Sequence, residues 1–333
     1  MDNLEIREYD DKDKDAVDGF LSSRNDACIF QTPLYFEALK ASGNKLARYF
    51  IAWRGGKVCG CLLCDILAQR FDKRALISGI LDIKGGPLAE NNDAAIIRAL
   101  LDTAKNIRPK ALFMQIAPVY DPAPIKGLLM SYGFDFRPHL ALQIDLTKSE
   151  EELSAAIGKH KYKNIRSAER KGLRFKAVTD KENFDLCLQI LKETYERLNL
   201  PVPDMAVFAG LAKNMPSNLK IFGIYTPDDK MIAFKSAFCY NNLAYLHLSG
   251  SVEDFHRLHP NEFAYYKLII RAKENGFSIL DMGGGGNPER PYGVRDFKMG
   301  FGPQAFNYGH YVLPLRPALM KIAKKTWYFL HRR

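Results

Sequence analysis

The sequence has no run of apolar residues long enough to cross a membrane. The longest, Val58 to Ala68, is short and carries Asp65, against the roughly 18 residues that a spanning helix needs. Cysteine is sparse, with 6 in 333 residues. That excludes a disulfide framework and fits a reducing compartment. The opening Met1-Asp2-Asn3-Leu4-Glu5 has no basic stretch leading into an apolar one, so no signal peptide is expected. There is no Gly-x-Ser-x-Gly elbow, HExxH, paired Cys-x-x-Cys or P-loop. These absences remove the common signatures of a nucleophile elbow, a zinc site and a phosphate-binding loop, and no metal is expected. The seven histidines are scattered. His256 and His259 precede Pro260, which reads as a helix start rather than a ligand pair. Strand alternation puts Cys59 and Cys61 on one face and Cys64 on the other, a pattern for core packing.

What is present is an ordinary globular composition, 47% hydrophobic and 26% charged, at a length that favours two domains. The net charge of +10 is localised. Lys159, Lys161, Lys163, Arg166, Arg170, Lys171, Arg174 and Lys176 face only Glu169 within 159–176. Residues 316–333 carry six bases and no acid, mixed with Leu319, Ile322, Trp327, Phe329 and Leu330. Lys159, Lys163 and Arg166 fall at i, i+4 and i+7, and Arg170 continues that face. A charged helical face is often simply solvated, but the near-absence of acids argues for a phosphate partner. The tail reads either as an amphipathic helix on anionic lipid or as a docked terminal helix.

Hydrophobic periodicity gives the order β-α-α-β-β-β-α-β-α-β over the first half, ending in a strand at Leu140 to Leu146. The expected elements include helices from Lys12 to Arg24 and from Thr32-Pro33 to Ser42, and a strand near Arg74 to Leu81. A helix from Glu150 to Gly172, opened by a Ser149/Glu152 capping box, joins the halves. The second half repeats the pattern. Strands are expected at Leu219 to Tyr225, Met231 to Tyr240, Leu243 to Ser249 and Ser278 to Met282. This order resembles the acetyltransferase (GNAT) fold used twice: an α/β chain with mixed sheets and two tandem GNAT-like domains. The expected boundaries are 1–148, 149–315 with a basic linking helix at 149–172, and a tail at 316–333.

Three segments carry candidate chemistry. Ile279-Leu280-Asp281-Met282 runs into Gly283-Gly284-Gly285-Gly286. A strand ending in glycines either cradles an anion with bare N–H groups or forms a flexible loop. Phe297-Lys298-Met299-Gly300-Phe301 places a cation beside apolar rings, which suits an oxyanion or a leaving ribose oxygen. A GNAT enzyme using acyl-CoA needs a Gln/Arg-x-x-Gly-x-Gly/Ala turn before the helix after its fourth strand. Here that place reads Phe255-His256-Arg257-Leu258-His259-Pro260-Asn261-Glu262 in the second half and Gly85-Gly86-Pro87-Leu88-Ala89-Glu90-Asn91 in the first. Neither matches, which argues against acetyl-CoA.

Several segments together resemble the FemABX-like family of aminoacyltransferases, the peptidoglycan bridge-forming enzymes and their tandem-GNAT relatives. They are Phe30-Gln31-Thr32-Pro33-Leu34-Tyr35-Phe36, Lys84-Gly85-Gly86-Pro87 and Lys163-Asn164-Ile165-Arg166-Ser167-Ala168-Glu169-Arg170-Lys171-Gly172. Thr194-Tyr195-Glu196-Arg197, His259-Pro260-Asn261-Glu262, Asp281-Met282-Gly283-Gly284 and Phe297-Lys298-Met299-Gly300-Phe301-Gly302 complete the ordered set. The long helical hairpin that some members insert is absent. The resemblance implies transfer of an amino acid from aminoacyl-tRNA to the amine of a peptidoglycan-precursor peptide. That peptide would lie in a groove across the two units.

On that resemblance Lys298, Phe297 and Asp281 are the catalytic candidates, with Lys298 stabilising charge and Asp281 either a base or structural. Gln31, Lys40, Gly86, Arg197, Tyr245, Gly283 and Gly284 would contact the acceptor substrate, Lys40 and Arg197 at its phosphates. Lys159, Lys163, Arg166 and Arg170 would hold tRNA. The implied partners are aminoacyl-tRNA and a UDP-MurNAc-peptide or lipid-linked muropeptide, with no cofactor. The implied setting is a cytoplasmic monomer that can touch the inner face of an anionic membrane. Two other readings stand beside this one. The first is an N-acyltransferase of envelope or polysaccharide modification using a CoA-bound or carrier-bound acyl group. The second is a non-catalytic binding module.

Overall fold

A computed structural model describes residues 3–44, 46–67, 79–107 and 111–320. Two compact units form, and neither is a continuous stretch. One comprises 1–40, 44–139 and 308–333, the other 41–43 and 140–307.

The first unit is built from β1 (Glu5–Glu8), α1 (Lys14–Ser22), α2 (Pro33–Ala41), β2 (Arg48–Arg54), β3 (Lys57–Leu67) and β4 (Ile80–Lys84). A short β5 (Leu88–Ala89), α3 (Ala94–Lys105), β6 (Phe113–Ala117), α4 (Ala123–Tyr132) and β7 (Asp135–Arg137) follow. Asp93 caps α3 by accepting from the N–H groups of Ala95 and Ile96. Gly133, with φ 110°, ends α4 in the left-handed region. Ile96, Ile97, Leu100, Leu101 and Ala104 recur at helical spacing and bury α3 against Leu62, Leu81, Ile83, Met114 and Ile116 of the sheet.

The second unit contains β8 (Ala141–Asp145), α5 (Glu150–Ala155), α6 (Lys159–Arg170), β9 (Arg174–Ala177), α7 (Lys181–Arg197), α8 (Met205–Asn214) and β10 (Leu219–Tyr225). It continues through β11 (Met231–Tyr240), β12 (Leu243–Ser251), α9 (Pro260–Glu274), β13 (Ile279–Gly284), α10 (Gly293–Met299) and β14 (Gln304–Phe306). Last in the chain is β15 (His310–Pro314).

The sheets run β1-β2-β3-β4-β6-β15-β7 and β14-β8-β13-β12-β11-β10-β9. Counted from β1 in one sheet and from β9 in the other, the sixth place is filled reciprocally. β8 pairs with β13 and β14, while β15 pairs with β6 and β7. The strand read as closing the first half therefore completes the second sheet. The segment before 315 completes the first, so the chain does not divide at 148 and 315. A short strand joins whichever sheet leaves an edge for it, and its own residues do not specify which.

Two local readings are corrected. The joining helix is two helices, α5 and α6. Gly158 leaves helical geometry at ψ 138°, and its N–H donates to Gly300 O at 2.9 Å. On β3 a bulge makes Cys59 an extra residue between Val58 and Gly60. Cys59 thus packs into the same core as Cys64, and alternation is broken between Cys59 and Cys61. All six cysteines are free, and no metal-holding group of side chains occurs among the described residues. No helix among them is long and apolar enough to cross a membrane. The strand read near 74–81 is described only in its last three residues, of which Ile80 and Leu81 open β4. The basic tail beyond Met320 lies outside the described residues.

Candidate functional site

In the second unit β12 and β13 are parallel neighbours, but their register holds only from Leu243↔Ile279 to Tyr245↔Asp281. β12 continues to Ser251 and β13 to Gly284 without further pairing to each other. β13 turns at Gly283, with φ +76°, and its Gly284 pairs with Ala141 of β8 across a register shift. The glycines therefore follow the place where the parallel pair parts.

Lys298 is aimed at this place from α10. It is 8% exposed, and its Nζ donates to Gly284 O at 3.1 Å. A Cβ on Gly283 would stand 3.6 Å from that Nζ. Burial lowers the Lys298 pKa to about 8, with Asp281 opposing. Asp281 is 2% exposed and has both oxygens in use. Gln143 Nε2 donates to Oδ2 at 2.9 Å and the Gly283 N–H donates to Oδ1 at 2.7 Å. Those bonds give it a role in shaping the turn under Lys298 rather than in taking a proton. Tyr245 is the cross-strand partner of Asp281.

Phe297 packs in an aromatic cluster with Tyr265 and Phe301, at ring distances of 5.7 and 5.5 Å. Lys161 Nζ stands 3.4 Å from the Phe297 ring centre and 3.2 Å from Glu262 Oε1. Asn164 also donates to that oxygen. Burial raises the Glu262 pKa, but Lys161 and these hydrogen bonds outweigh it and hold the carboxyl below its ordinary value. Phe297 and Glu262 line a recess of about 210 Å³ with His256, His259, Pro260 and Asn261. His259 caps α9 with φ 62°, and Pro260 opens the helix, so His256 and His259 mark a helix start as read. His256 Nε2 lies 2.9 Å from Ser251 Oγ, which accepts from Asn261 Nδ2 at 3.0 Å.

One residue was missed in the sequence. Lys235 on β11 is 3% exposed. Its Nζ lies 3.4 Å from Asn261 Oδ1 and 4.3 Å above the Tyr265 ring. Burial, and after it the charge on Lys298, lowers the Lys235 pKa to about 7, with Glu262 opposing. The signal was available: a single lysine follows Met231-Ile232-Ala233-Phe234 in a strand buried through Phe238. A lysine inside such a run is costly unless it serves something.

The other sequence-derived candidates fall elsewhere. Lys159, Lys163, Arg166 and Arg170 are exposed on α6. Arg166 pairs with Glu169 at 2.8 Å, and Lys267 shares that carboxylate at 2.9 Å, so Glu169 compensates part of the charge. Arg197 ends α7, with its Nε 3.7 Å from Glu253 and its NH2 3.5 Å from Ser251 O. Gln31 and Gly86 meet in the first unit. Gln31 is fully buried, accepts from the Cys28 N–H at 2.8 Å and donates to Gly86 O at 3.0 Å. The Gln31 amide thus holds the Gly85–Gly86 turn. Lys40 is exposed at the end of α2, 5.4 Å from the Phe36 ring centre.

Residues 158–299 match the family model described as the acetyltransferase (GNAT) domain. No curated protein matches the chain by sequence. Among solved structures it is similar to FemX, with TM-score 0.73 and 17% identity over 96% of this chain and 99% of that one. It is also similar to L-PGS from Bacillus licheniformis, with TM-score 0.61 and 15% identity over 96% and 97%. A tandem GNAT protein from the clavulanic acid biosynthesis pathway gives TM-score 0.58 and 12% identity over 94% and 99%. The chain thus has a tandem GNAT fold similar to that of FemX, and the GNAT domain match lies in its second unit.

Proposed function

We propose that this protein is an aminoacyltransferase that moves an amino acid from aminoacyl-tRNA to the amine of a peptidoglycan-precursor peptide. The observation that carries the reading is Lys298, buried where β12 and β13 part. In the reaction the neutral acceptor amine attacks the ester carbonyl and a C–N bond forms. The bond to the ribose oxygen breaks, and the proton lost by the amine balances the one gained by that oxygen. Lys298, with its pKa lowered only to about 8, is still mainly an ammonium at neutral pH. It suits the oxyanion or the departing ribose oxygen. Lys235, lowered to about 7, suits the complementary task of holding a proton briefly. No covalent enzyme intermediate is required. Positioning of the two substrates supplies much of the rate.

The exposed face of Lys159, Lys163, Arg166 and Arg170 supports a tRNA as donor, because such a face gains from counterion release. The helix start at His259-Pro260 supports it from the other side. Proline contributes no N–H, so this place offers fewer amides to a CoA pyrophosphate. The match to an acetyltransferase domain favours acyl-CoA instead, and the donor is what an experiment must separate. On our reading no cofactor takes part, and the protein works as a cytoplasmic monomer that can touch an anionic membrane surface.

The test is a mass-spectrometric transfer assay on UDP-MurNAc-pentapeptide. A pool of charged tRNA and acetyl-CoA are offered separately to wild type and to Lys298→Met. An amino-acid mass added only from charged tRNA, and lost in the variant, is the expected result. Acetylation alone would establish the acyl-CoA reading, and no product from charged tRNA would remove the muropeptide acceptor.

A further inference from the structure

The first unit carries a second cluster of ionisable side chains. β4, β6, β15 and β7 are consecutive in its sheet. Ile83, Ile116 and Tyr311 on three of these strands point into the apolar core. Alternation turns their neighbours Lys84 and His310 to the opposite face. Arg137 is the cross-strand partner of His310 and shares that face. Ala117, the partner of Lys84, contributes only a methyl group between them. His139 stacks on His310, with ring centres 4.0 Å apart and planes at 18°. All four side chains are half-buried. Lys84 Nζ also stands 4.1 Å from the Phe30 ring centre. The charged group facing the row from β4 itself is Asp82, which accepts from Gln115 Nε2 at 3.1 Å and feels the charge of Lys84.

We propose that Lys84, Arg137, His139 and His310 form a binding site for an oxyanion, a carboxylate or phosphate group of a small ligand, on the first unit's sheet. Placing two cations beside two imidazoles in a half-buried position is unfavourable in itself. The strain is visible at His310. Burial, and after it His139, Arg137 and Lys84, lowers its pKa to about 4, with no carboxylate among the groups acting on it. An anion seated among the four reverses each of these repulsions. The arginine fork fits the two oxygens of a carboxylate or a phosphate edge. The site gives Lys84-Gly85-Gly86-Pro87 a purpose: the Gln31–Gly86 bond fixes the turn that follows Lys84. The inference does not depend on aminoacyl transfer, because it concerns binding alone.

The experiment follows the His310 ring by NMR in the full chain, with the resonances assigned through His310→Gln and His139→Gln. Acetate and inorganic phosphate are titrated separately at constant ionic strength. At least one is expected to raise the His310 midpoint by roughly one pH unit or more. The shift should vanish in Arg137→Gln and, as an independent check on folding, in Lys84→Met. A response to acetate alone assigns a carboxylate, to phosphate alone a phosphate, and to both an oxyanion of either kind. No shift with either anion, or the same shift in both variants, overturns the proposal.

Discussion

In the first unit the parallel pair β4 and β6 stays in register from Ile80↔Phe113 through Lys84↔Ala117. In the second, β12 and β13 part after Tyr245↔Asp281 although β12 runs on to Ser251. The strand orders of the two sheets are otherwise equivalent. One fold has thus been kept closed in one copy and opened in the other. The glycines and Lys298 lie at the opening, where Gly284 O, past the end of the parallel ladder, accepts from Lys298. Fold alone does not set function, and on the proposed reading the local parting of two strands is what distinguishes the reacting unit.

The sharpest way to break this comparison is to remove the ammonium at the opening. Lys298→Met keeps the apolar length of the side chain and deletes the charge. Loss of one preorganised donor at a developing oxyanion costs about 100-fold or more in kcat. The variant should stay folded, because a buried amine is replaced by an apolar group of similar volume. The readout is single-turnover transfer beside a denaturation curve. If activity survives in a folded variant, the opening is not the reacting centre.

A second prediction sets the pH responses of the two units against each other. In the second unit Lys235 and Lys298 have folded pKa values of about 7 and about 8, below the ordinary lysine value of roughly 10.4. Between those values the unfolded chain binds more protons, so stability rises as pH goes up from about 7 towards 10. In the first unit His310 sits at about 4, below the ordinary histidine value of roughly 6.5. Its contribution is complete above that value and is lost as pH falls towards 4. At ~1.4 kcal/mol per pH unit the acid limb amounts to about 3 kcal/mol at most, and the alkaline limb, which sums two lysines, to about 8 kcal/mol at most. Urea midpoints measured across pH should show both limbs. Lys235→Met should flatten only the alkaline one and His310→Gln only the acid one. Loss of both limbs in one variant would show that the two units do not titrate separately.

Much of this architecture was legible in the sequence, and the reasons for the rest are physical. β10 and β11 fall where they were read, at Leu219–Tyr225 and Met231–Tyr240, because apolar runs around a Pro-Asp-Asp turn are local signals. Phe297 and Lys298 were legible as a ring and a cation in one segment, but the cation on the Phe297 ring is Lys161 of α6. The exchange of β8 and β15 was not, since strand pairing across more than a hundred residues leaves no mark within either strand. The bulge at Cys59 defeated alternation, because one inserted residue reverses every face after it. Lys235 was visible but was passed over as one more lysine. Only burial by the surrounding sheet distinguishes it from the solvated ones. Asp281 was legible at the end of its strand, but one of its two hydrogen bonds comes from Gln143, which belongs to the exchanged strand β8.

The smallest expected effect sharpens the comparison from the first unit's side. Asp93 caps α3, accepting from the Ala95 N–H at 2.8 Å, and its other oxygen meets Arg54 NH2 at 3.1 Å. Burial raises its pKa, but the Ala95 N–H, the Arg54 guanidinium and the Ile96 N–H outweigh that and hold it below the ordinary value. Asp93→Ala should cost about 1 kcal/mol, the usual worth of an N-cap. The loss should fade as pH falls through the folded pKa of Asp93, since a protonated carboxyl caps poorly. Hydrogen exchange should quicken in Ala94–Lys105, whose apolar face packs on β2 and β3 and shares one core with β4 and β6. Transfer should continue at the wild-type rate, because α3 packs on the unit whose strands do not part. A large loss of activity from this one cap would mean that the closed unit shares in the chemistry, and the contrast drawn between the two copies of the fold would have to be abandoned.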